Sequence, residues 1–314
     1  MELVVIDVGG THARFAVARL DEAIELREPV VLRTANFASL EEAWSEFARR
    51  CGSPLPAAAV IAAAGPVRQG VIKLTNAPWT IQTDAFRAKL RLDKVILIND
   101  FAAVAHAVGA VSEAQLLHIA GPDEPLPKRG TVSVLGPGTG LGVAHIFRSD
   151  EGAQVHATEG GHVGFAPQDE LDGRILSELR RKYARVVTEH VHAGAGIAAI
   201  YSALGGTRLT DPRKIWDAGF ASEDEFAVRA IGRFCTSLGG VAGDYALAQG
   251  SAGVVIAGGL GLRLREWLPK SDFADWFWAK PRYETMMSSI PVKLLVHPHP
   301  GLLGAAAAFR VGEQ

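Results

Sequence analysis

Leu3-Val4-Val5-Ile6-Asp7-Val8-Gly9-Gly10-Thr11-His12-Ala13-Arg14-Phe15-Ala16-Val17-Ala18 reads as a strand, a glycine turn and a second strand. β-branched and apolar residues suit the pleat, and the glycines permit the reversal. The layout returns downstream as Val132-Ser133-Val134-Leu135, Gly136-Pro137-Gly138-Thr139-Gly140-Leu141-Gly142 and Val143-Ala144-His145-Ile146, with Thr11 and Thr139 in matching places. Ala59-Val60-Ile61-Ala62-Ala63-Ala64-Gly65 is a buried strand ending in glycine, and Gly253-Val254-Val255-Ile256-Ala257-Gly258-Gly259 resembles it in the second half. With amphipathic helices at about residues 40 to 50 and 84 to 90, the repeated order implies two α/β lobes, each a sheet flanked by helices. The cleft between such lobes is the expected site. A further helix at about residues 223 to 249 carries Phe226, Ala230, Phe234, Leu238, Val241 and Tyr245 at helical spacing. Gly239, Gly240 and Gly243 interrupt it, which implies a break or close helix packing; packing is the preferred reading.

Composition narrows the function classes. The 314 residues are 48% hydrophobic and 21% charged, an ordinary globular balance long enough for a sizeable core. Lys and Arg number 32 against 34 Asp and Glu, so no global field draws in nucleic acid or an anionic membrane. Cys51 and Cys235 match neither a zinc spacing nor a disulfide framework, which suits a reducing cytoplasm. The chain runs from Met1 straight into a short apolar stretch unlike a signal peptide, and no apolar run reaches the roughly 20 residues of a membrane span. A soluble, cytoplasmic protein is expected.

The glycine turns suggest phosphate. With little side-chain bulk, successive backbone N–H groups can converge on an oxyanion, and a threonine hydroxyl adds a donor. Neither turn matches the GxxxxGK[ST] loop, and one alone reads first as a plain hairpin; two in duplicated register favour a polyphosphate. Asp7, ahead of the first turn, either caps it or holds magnesium through water. Val95-Ile96-Leu97-Ile98 is a strand ending in Asn99-Asp100 before a helix begins at Phe101-Ala102-Ala103-Val104. A carboxylate at that end can accept a hydroxyl proton, or the pair can cap the helix. Glu159 and His162 supply further hydrogen-bonding groups of the kind a sugar needs, while Glu189, a lone glutamate after another helical stretch, reads by itself as solvated surface; Glu159-x-x-His162 as a metal pair ranks low, because no other His or Cys stands at metal spacing nearby. His190, His192, His297 and His299 read as surface or packing residues, and Trp267, Trp276 and Trp278 as packing.

Together these motifs resemble the bacterial glucokinase family of the hexokinase, actin and heat-shock ATPase superfamily. The resemblance covers nearly the whole chain and is carried by Asp7-Val8-Gly9-Gly10-Thr11-His12-Ala13-Arg14, Leu74-Thr75-Asn76-Ala77-Pro78-Trp79, Ile98-Asn99-Asp100-Phe101, Gly136-Pro137-Gly138-Thr139-Gly140-Leu141-Gly142, Glu159-Gly160-Gly161-His162, Ile256-Ala257-Gly258-Gly259 and His299-Pro300-Gly301-Leu302-Leu303-Gly304. It implies a duplicated actin-like/ribonuclease-H-like ATPase fold, two lobes around a cleft: residues 1–107 with about 300–314 as the small lobe, and 108–299 as the large one. It implies an ATP-dependent glucokinase of glycolysis, often a homodimer, using Mg2+. Asn99, Asp100, Glu159, His162 and Glu189 would hold glucose, with Asp100 also the base. Asp7, Gly9, Gly10, Thr11, Gly138, Thr139 and Gly140 would serve the ATP phosphates and metal, and Gly258 and Gly259 would lie under the adenosine.

The chain departs from the family's pattern at His12, where many relatives carry Asn, and in Glu189-His190-Val191-His192-Ala193-Gly194, where Glu-Arg-Val-Leu-Ser-Gly is common. It lacks the clustered cysteines of the related repressor and open-reading-frame kinases and their helix-turn-helix. The rival readings are a kinase for mannose, fructose or an N-acetyl hexosamine, and a non-catalytic sugar sensor on the same fold.

Overall fold

The structure is a computed structural model that describes residues 1–52, 54–65, 67–74 and 79–312. Backbone contacts divide the chain into two units, Met1–Val111 together with the segment from His297 onward, and Ser112–Val296.

In the first unit, strands β1 (Glu2–Val8), β2 (His12–Leu20), β3 (Ile24–Leu26), β4 (Val30–Arg33) and β5 (Ala58–Ala63) precede a small hairpin of β6 (Val71–Lys73) and β7 (Thr80–Gln82), and β8 (Lys94–Asn99) follows. The sheet order is β3-β2-β1-β5-β8, with β4 also on β2. β1 runs antiparallel to β2 and parallel to β5, which is parallel to β8. Leu3 to Ile6 have no exposed surface, as a strand covered on both faces requires. Val4, Ile6 and Val8 face Trp44 and Phe47 of the helix Leu40–Cys51, while Leu3 and Val5 face Ala305 and Phe309 of the helix Pro300–Val311. The first helix is set locally: the Ser39 hydroxyl accepts from Glu42 N, and Gly52 ends it at φ 63°. The second lies directly on the helix Asp100–Ala110, because a Cβ on Gly304 would stand 1.6 Å from the Ala103 carbonyl oxygen.

The second unit holds β9 (Leu116–Ala120), β10 (Gly130–Pro137), β11 (Leu141–Ser149), β12 (Gly152–Thr158), β13 (Ser251–Ile256) and β14 (Val292–Leu295), in the order β12-β11-β10-β13-β14-β9. β12, β11 and β10 pair antiparallel, and β10, β13 and β14 pair parallel. That repeats β3-β2-β1-β5-β8, so the repeat legible in the sequence is a repeat of topology, with β9 added at one edge.

The helix Glu225–Ala248 is unbroken. Its glycines are a packing seam, as preferred: a Cβ on Gly239 would meet the Phe273 carbonyl oxygen at 2.1 Å, and one on Gly243 that of Phe277 at 2.6 Å. The helix Phe273–Trp278 therefore lies backbone to backbone on it, and Arg233 stacks over Trp276 at 4.4 Å. Deeper in this core, His192 has no exposed surface. Its Nδ1 is 3.0 Å from the Thr188 carbonyl oxygen, which can only accept, so Nδ1 carries the proton. Nε2 then accepts from the Ser237 hydroxyl at 3.0 Å. Burial pushes the imidazole down to about 4.

Gly304→Ala should cost at least about 3 kcal/mol, since backbone and not a movable side chain fills the space. Thermal melting reads this, and an unshifted midpoint would show that the two helices can slide apart. His192 gives a pH dependence. Unfolded, the ring binds a proton near 6.5; folded, only near 4. The unfolded state therefore holds more protons between those values, and stability complete above about 6.5 is lost as pH falls toward 4, by on the order of 3 kcal/mol. Denaturant midpoints measured from pH 7 to pH 4 should fall more steeply for the wild-type chain than for His192→Leu.

Candidate active site

Asp7 is the penultimate residue of β1 and pairs in register with Arg14 on β2. Arg14 Nη1 lies 3.4 Å from Asp7 Oδ2. Burial pushes the carboxyl up, and the charges of Arg14 and His299 oppose that shift. Gly301, near the start of the C-terminal helix, closes over it; a Cβ there would come 2.9 Å from Asp7 Cγ. In the adjoining turn Gly9 N donates to His12 O at 2.9 Å. Thr34 holds the rest of the turn, its hydroxyl donating to Gly10 O at 2.9 Å and its N–H to Thr11 O at 3.1 Å. The carbonyls of Gly10, Thr11 and His12 are thereby engaged. Among the described residues, the N–H groups of Gly10 and Thr11 have no acceptor.

Val8 stands opposite Ala63, and Ala63 opposite Asn99, so β1, β5 and β8 end in line. The glycine turn and the Asn99-Asp100 pair thus leave the sheet along one edge, where parallel sheets place their ligands. Asn99 is the helix cap: Oδ1 accepts from Phe101 N at 2.9 Å and Ala102 N at 3.0 Å, and Nδ2 donates to Gly65 O at 3.1 Å. Asp100 is the first residue of the helix, with Oδ1 accepting from Phe101 N at 2.8 Å. Capping therefore falls mainly to Asn99. Of the motif at residues 74–79, Trp79 donates from Nε1 to Phe37 O at 2.9 Å, whereas Thr75, Asn76, Ala77 and Pro78 lie outside the described residues.

In the second unit the turn between β10 and β11 is closed by Gly138 N donating to Gly140 O at 2.8 Å. Thr139 stands one place before the closing carbonyl, as Thr11 does in the first turn. Three segments meet this turn. Gly194 N donates to Gly138 O at 2.8 Å. Glu189, on the helix Thr188–His192, accepts from Leu141 N through Oε2 at 2.8 Å. Gly258, at φ 81°, sits so that a Cβ would lie 2.8 Å from Pro137 O, while Gly259 beside it faces open space.

Glu159 and His162 flank Gly160 and Gly161, which are buried against β11 while the two polar residues are exposed. A Cβ on Gly161 would be 2.3 Å from Leu141 O, and one on Gly160 2.8 Å from Val143 Cβ. The Tyr245 hydroxyl donates to Gly160 O. The glycines thus press the turn onto the strand and aim an acid and an imidazole outward. His190 feels two of these groups: burial lowers its pKa, the Glu189 charge raises it, and the His162 charge lowers it. Its ring stacks on Tyr183 at 3.7 Å. A pocket of about 630 Å³ opens beside His190, lined in part by Thr139, Lys182, Tyr183, Glu189 and His190, whereas Glu159 and His162 stand outside its lining.

Sequence reasoning missed Arg14, Thr34, Lys182 and Tyr183. Arg14 was recoverable, since a hairpin with Val8 opposite Ala13 puts Asp7 opposite Arg14. Thr34 and Tyr183 meet the site only through tertiary packing, and no local spacing marks them.

The sequence model of the glucokinase family matches residues 4–311. The chain is 49% identical over 316 aligned residues to the glucokinase of Zymomonas mobilis, covering 98% of each chain. It superposes on the crystal structure of a glucokinase from an Antarctic psychrotroph with a TM-score of 0.87 and 31% identity, covering 99% of both. A glucokinase from Balamuthia mandrillaris, solved in complex with glucose, shares the fold with a TM-score of 0.80 at 21% identity, over 98% of this chain and 93% of that one. The fold is the duplicated actin-like ATPase fold. The chain belongs to the glucokinase family, and its reaction is transfer of the γ-phosphate of ATP to the 6-hydroxyl of glucose.

Proposed function

We propose that glucose is held by Asn99, Asp100, Glu159, His162 and Glu189, and that Asp100 takes the 6-hydroxyl proton as that oxygen attacks the γ-phosphorus. The bond from sugar oxygen to phosphorus forms as the bond from phosphorus to the bridging oxygen breaks, and ADP leaves. The observation that carries this reading is the common edge on which β1 and β8 end. It sets Asp100 along the same rim as the Gly9-Gly10-Thr11 turn.

The N–H groups of Gly10, Thr11, Thr139 and Gly140 suit phosphate oxygens, and Gly258 and Gly259 offer a flat backbone surface to the adenosine. Mg2+ fits Asp7: the carboxylate is partly desolvated, the Arg14 contact is long at 3.4 Å, and a hard cation needs an oxygen, directly or through water. When bound, the ion supplies charge neutralisation across the phosphates. Arg14, which pairs with Asp7 without it, keeps the carboxylate oriented. The near-neutral composition and two free cysteines support a cytoplasmic enzyme of glycolysis, and the family resemblance supports a homodimer.

Asp100→Asn keeps the shape and the helix N-terminus but removes the base. Its kcat should fall about 10²- to 10⁴-fold while both KM values stay within a few-fold of wild type. Coupled ADP release measures this, and an unchanged kcat removes Asp100 from the chemistry. Run across glucose, mannose, fructose and N-acetylglucosamine, the same assay should give its largest kcat/KM with glucose; a larger value for another sugar reassigns the substrate.

A further inference from the structure

Gly138 and Gly140 lie in the same turn, and neither has a positive φ, so the backbone there requires glycine at neither position. Space distinguishes them. A Cβ on Gly138 would have the Gly140 carbonyl oxygen as its nearest neighbour at 3.9 Å, an ordinary contact. On Gly140 it would fall 2.4 Å from Glu189 Oε2 and 3.2 Å from Glu189 Cδ. Thus the one group that forbids a side chain at position 140 is the carboxylate that accepts from Leu141 N at 2.8 Å. The helix bearing Glu189 is held from behind by His192 on Ser237, so the carboxylate is delivered to the turn from a fixed base.

We propose that Gly140 is a positioning residue for the reaction: its missing side chain lets Glu189 clasp the turn, so that one carboxylate sets both the sugar pocket and the phosphate loop. This rests on the reading above, in which Glu189 meets glucose and the turn meets the phosphates. Displacing the carboxylate from Leu141 N must then disturb both substrates together, because a hydrogen bond to a charged group is lost on the loop side and a sugar ligand is shifted on the other.

Gly140→Ala tests this, since a methyl there meets the end of a movable side chain and the chain should still fold, with a melting midpoint within a few degrees of wild type. KM for glucose and KM for ATP should each rise about tenfold, with a smaller change in kcat. On a Glu189→Ala background the same substitution should add nothing. A rise in KM for ATP alone, or effects of the two substitutions that simply multiply, overturns the coupling. Should Gly140→Ala fail to fold, Glu189→Asp withdraws the carboxylate by one methylene with the turn unaltered; both KM values must rise together, and a change in one alone overturns the proposal. Glu189→Ala separates the two layers. An unchanged KM for glucose in that variant removes Glu189 from the sugar site and the coupling with it, whereas a raised value beside an unaffected Gly140→Ala removes the coupling only.

Discussion

The second glycine turn is the piece on which the candidate site of its unit depends, because its neighbours touch it through backbone with almost nothing flexible between. Gly161 lies on the Leu141 carbonyl, Gly258 on that of Pro137, and Gly194 donates to that of Gly138. Side-chain contacts can adjust by rotamer changes, but backbone contacts at these separations cannot. The Glu159-to-His162 segment, Gly194 after the helix of Glu189, and the Gly258-Gly259 pair therefore take their positions against one short turn. That is a cheap route to the sub-ångström placement that catalysis demands. It also concentrates the risk, since one added methyl disturbs several groups together.

The duplicated topology does not make the two turns equivalent. In the first unit the turn is held by donors: the Thr34 hydroxyl and N–H engage the carbonyls of Gly10 and Thr11. In the second, an acceptor, the Glu189 carboxylate, takes up the N–H of Leu141. The first arrangement leaves the amides of Gly10 and Thr11 without a carboxylate hydrogen-bonded within the turn, the nearby Asp7 being paired with Arg14. The second spends one amide and sets a carboxylate beside the others, which disfavours an approaching phosphate unless that charge is shared with other donors. Sugar hydroxyls are donors of that kind.

How much of this was legible follows from how local each cause is. The hairpins, the parallel strands after them and the helix Leu40–Cys51 are written in periodicity, capping and glycine punctuation, all readable within a few residues. The glycine-rich helix Glu225–Ala248 was legible as a helix, but its seam against Phe273 and Phe277 was not, because the partners lie some thirty residues on. Asn99 and Asp100 show the same limit at shorter range. Sequence marks the pair as a cap or a catalytic acid, and only the hydrogen bonds to Phe101 and Ala102 assign the cap to Asn99. Glu189 drew notice only through the family resemblance; that it grips Leu141 depends on a contact 48 residues away in the chain.

His192 bears on how Glu189 is held. The helix Thr188–His192 has five residues, far short of what sustains a helix in water, so tertiary anchoring must supply its stability. A leucine in this place would anchor it by burial alone, which resists withdrawal but leaves rotation about the helix axis weakly opposed. The imidazole fills the same core between Phe165 and Phe234, and adds two directional bonds, one along its own helix to Thr188 and one across to Ser237. Rotation of the helix now breaks a hydrogen bond in an apolar setting, where an unmade bond costs more than a made one gains. One imidazole thus fixes the heading of the carboxylate three residues earlier and carries the acid sensitivity of a buried neutral histidine.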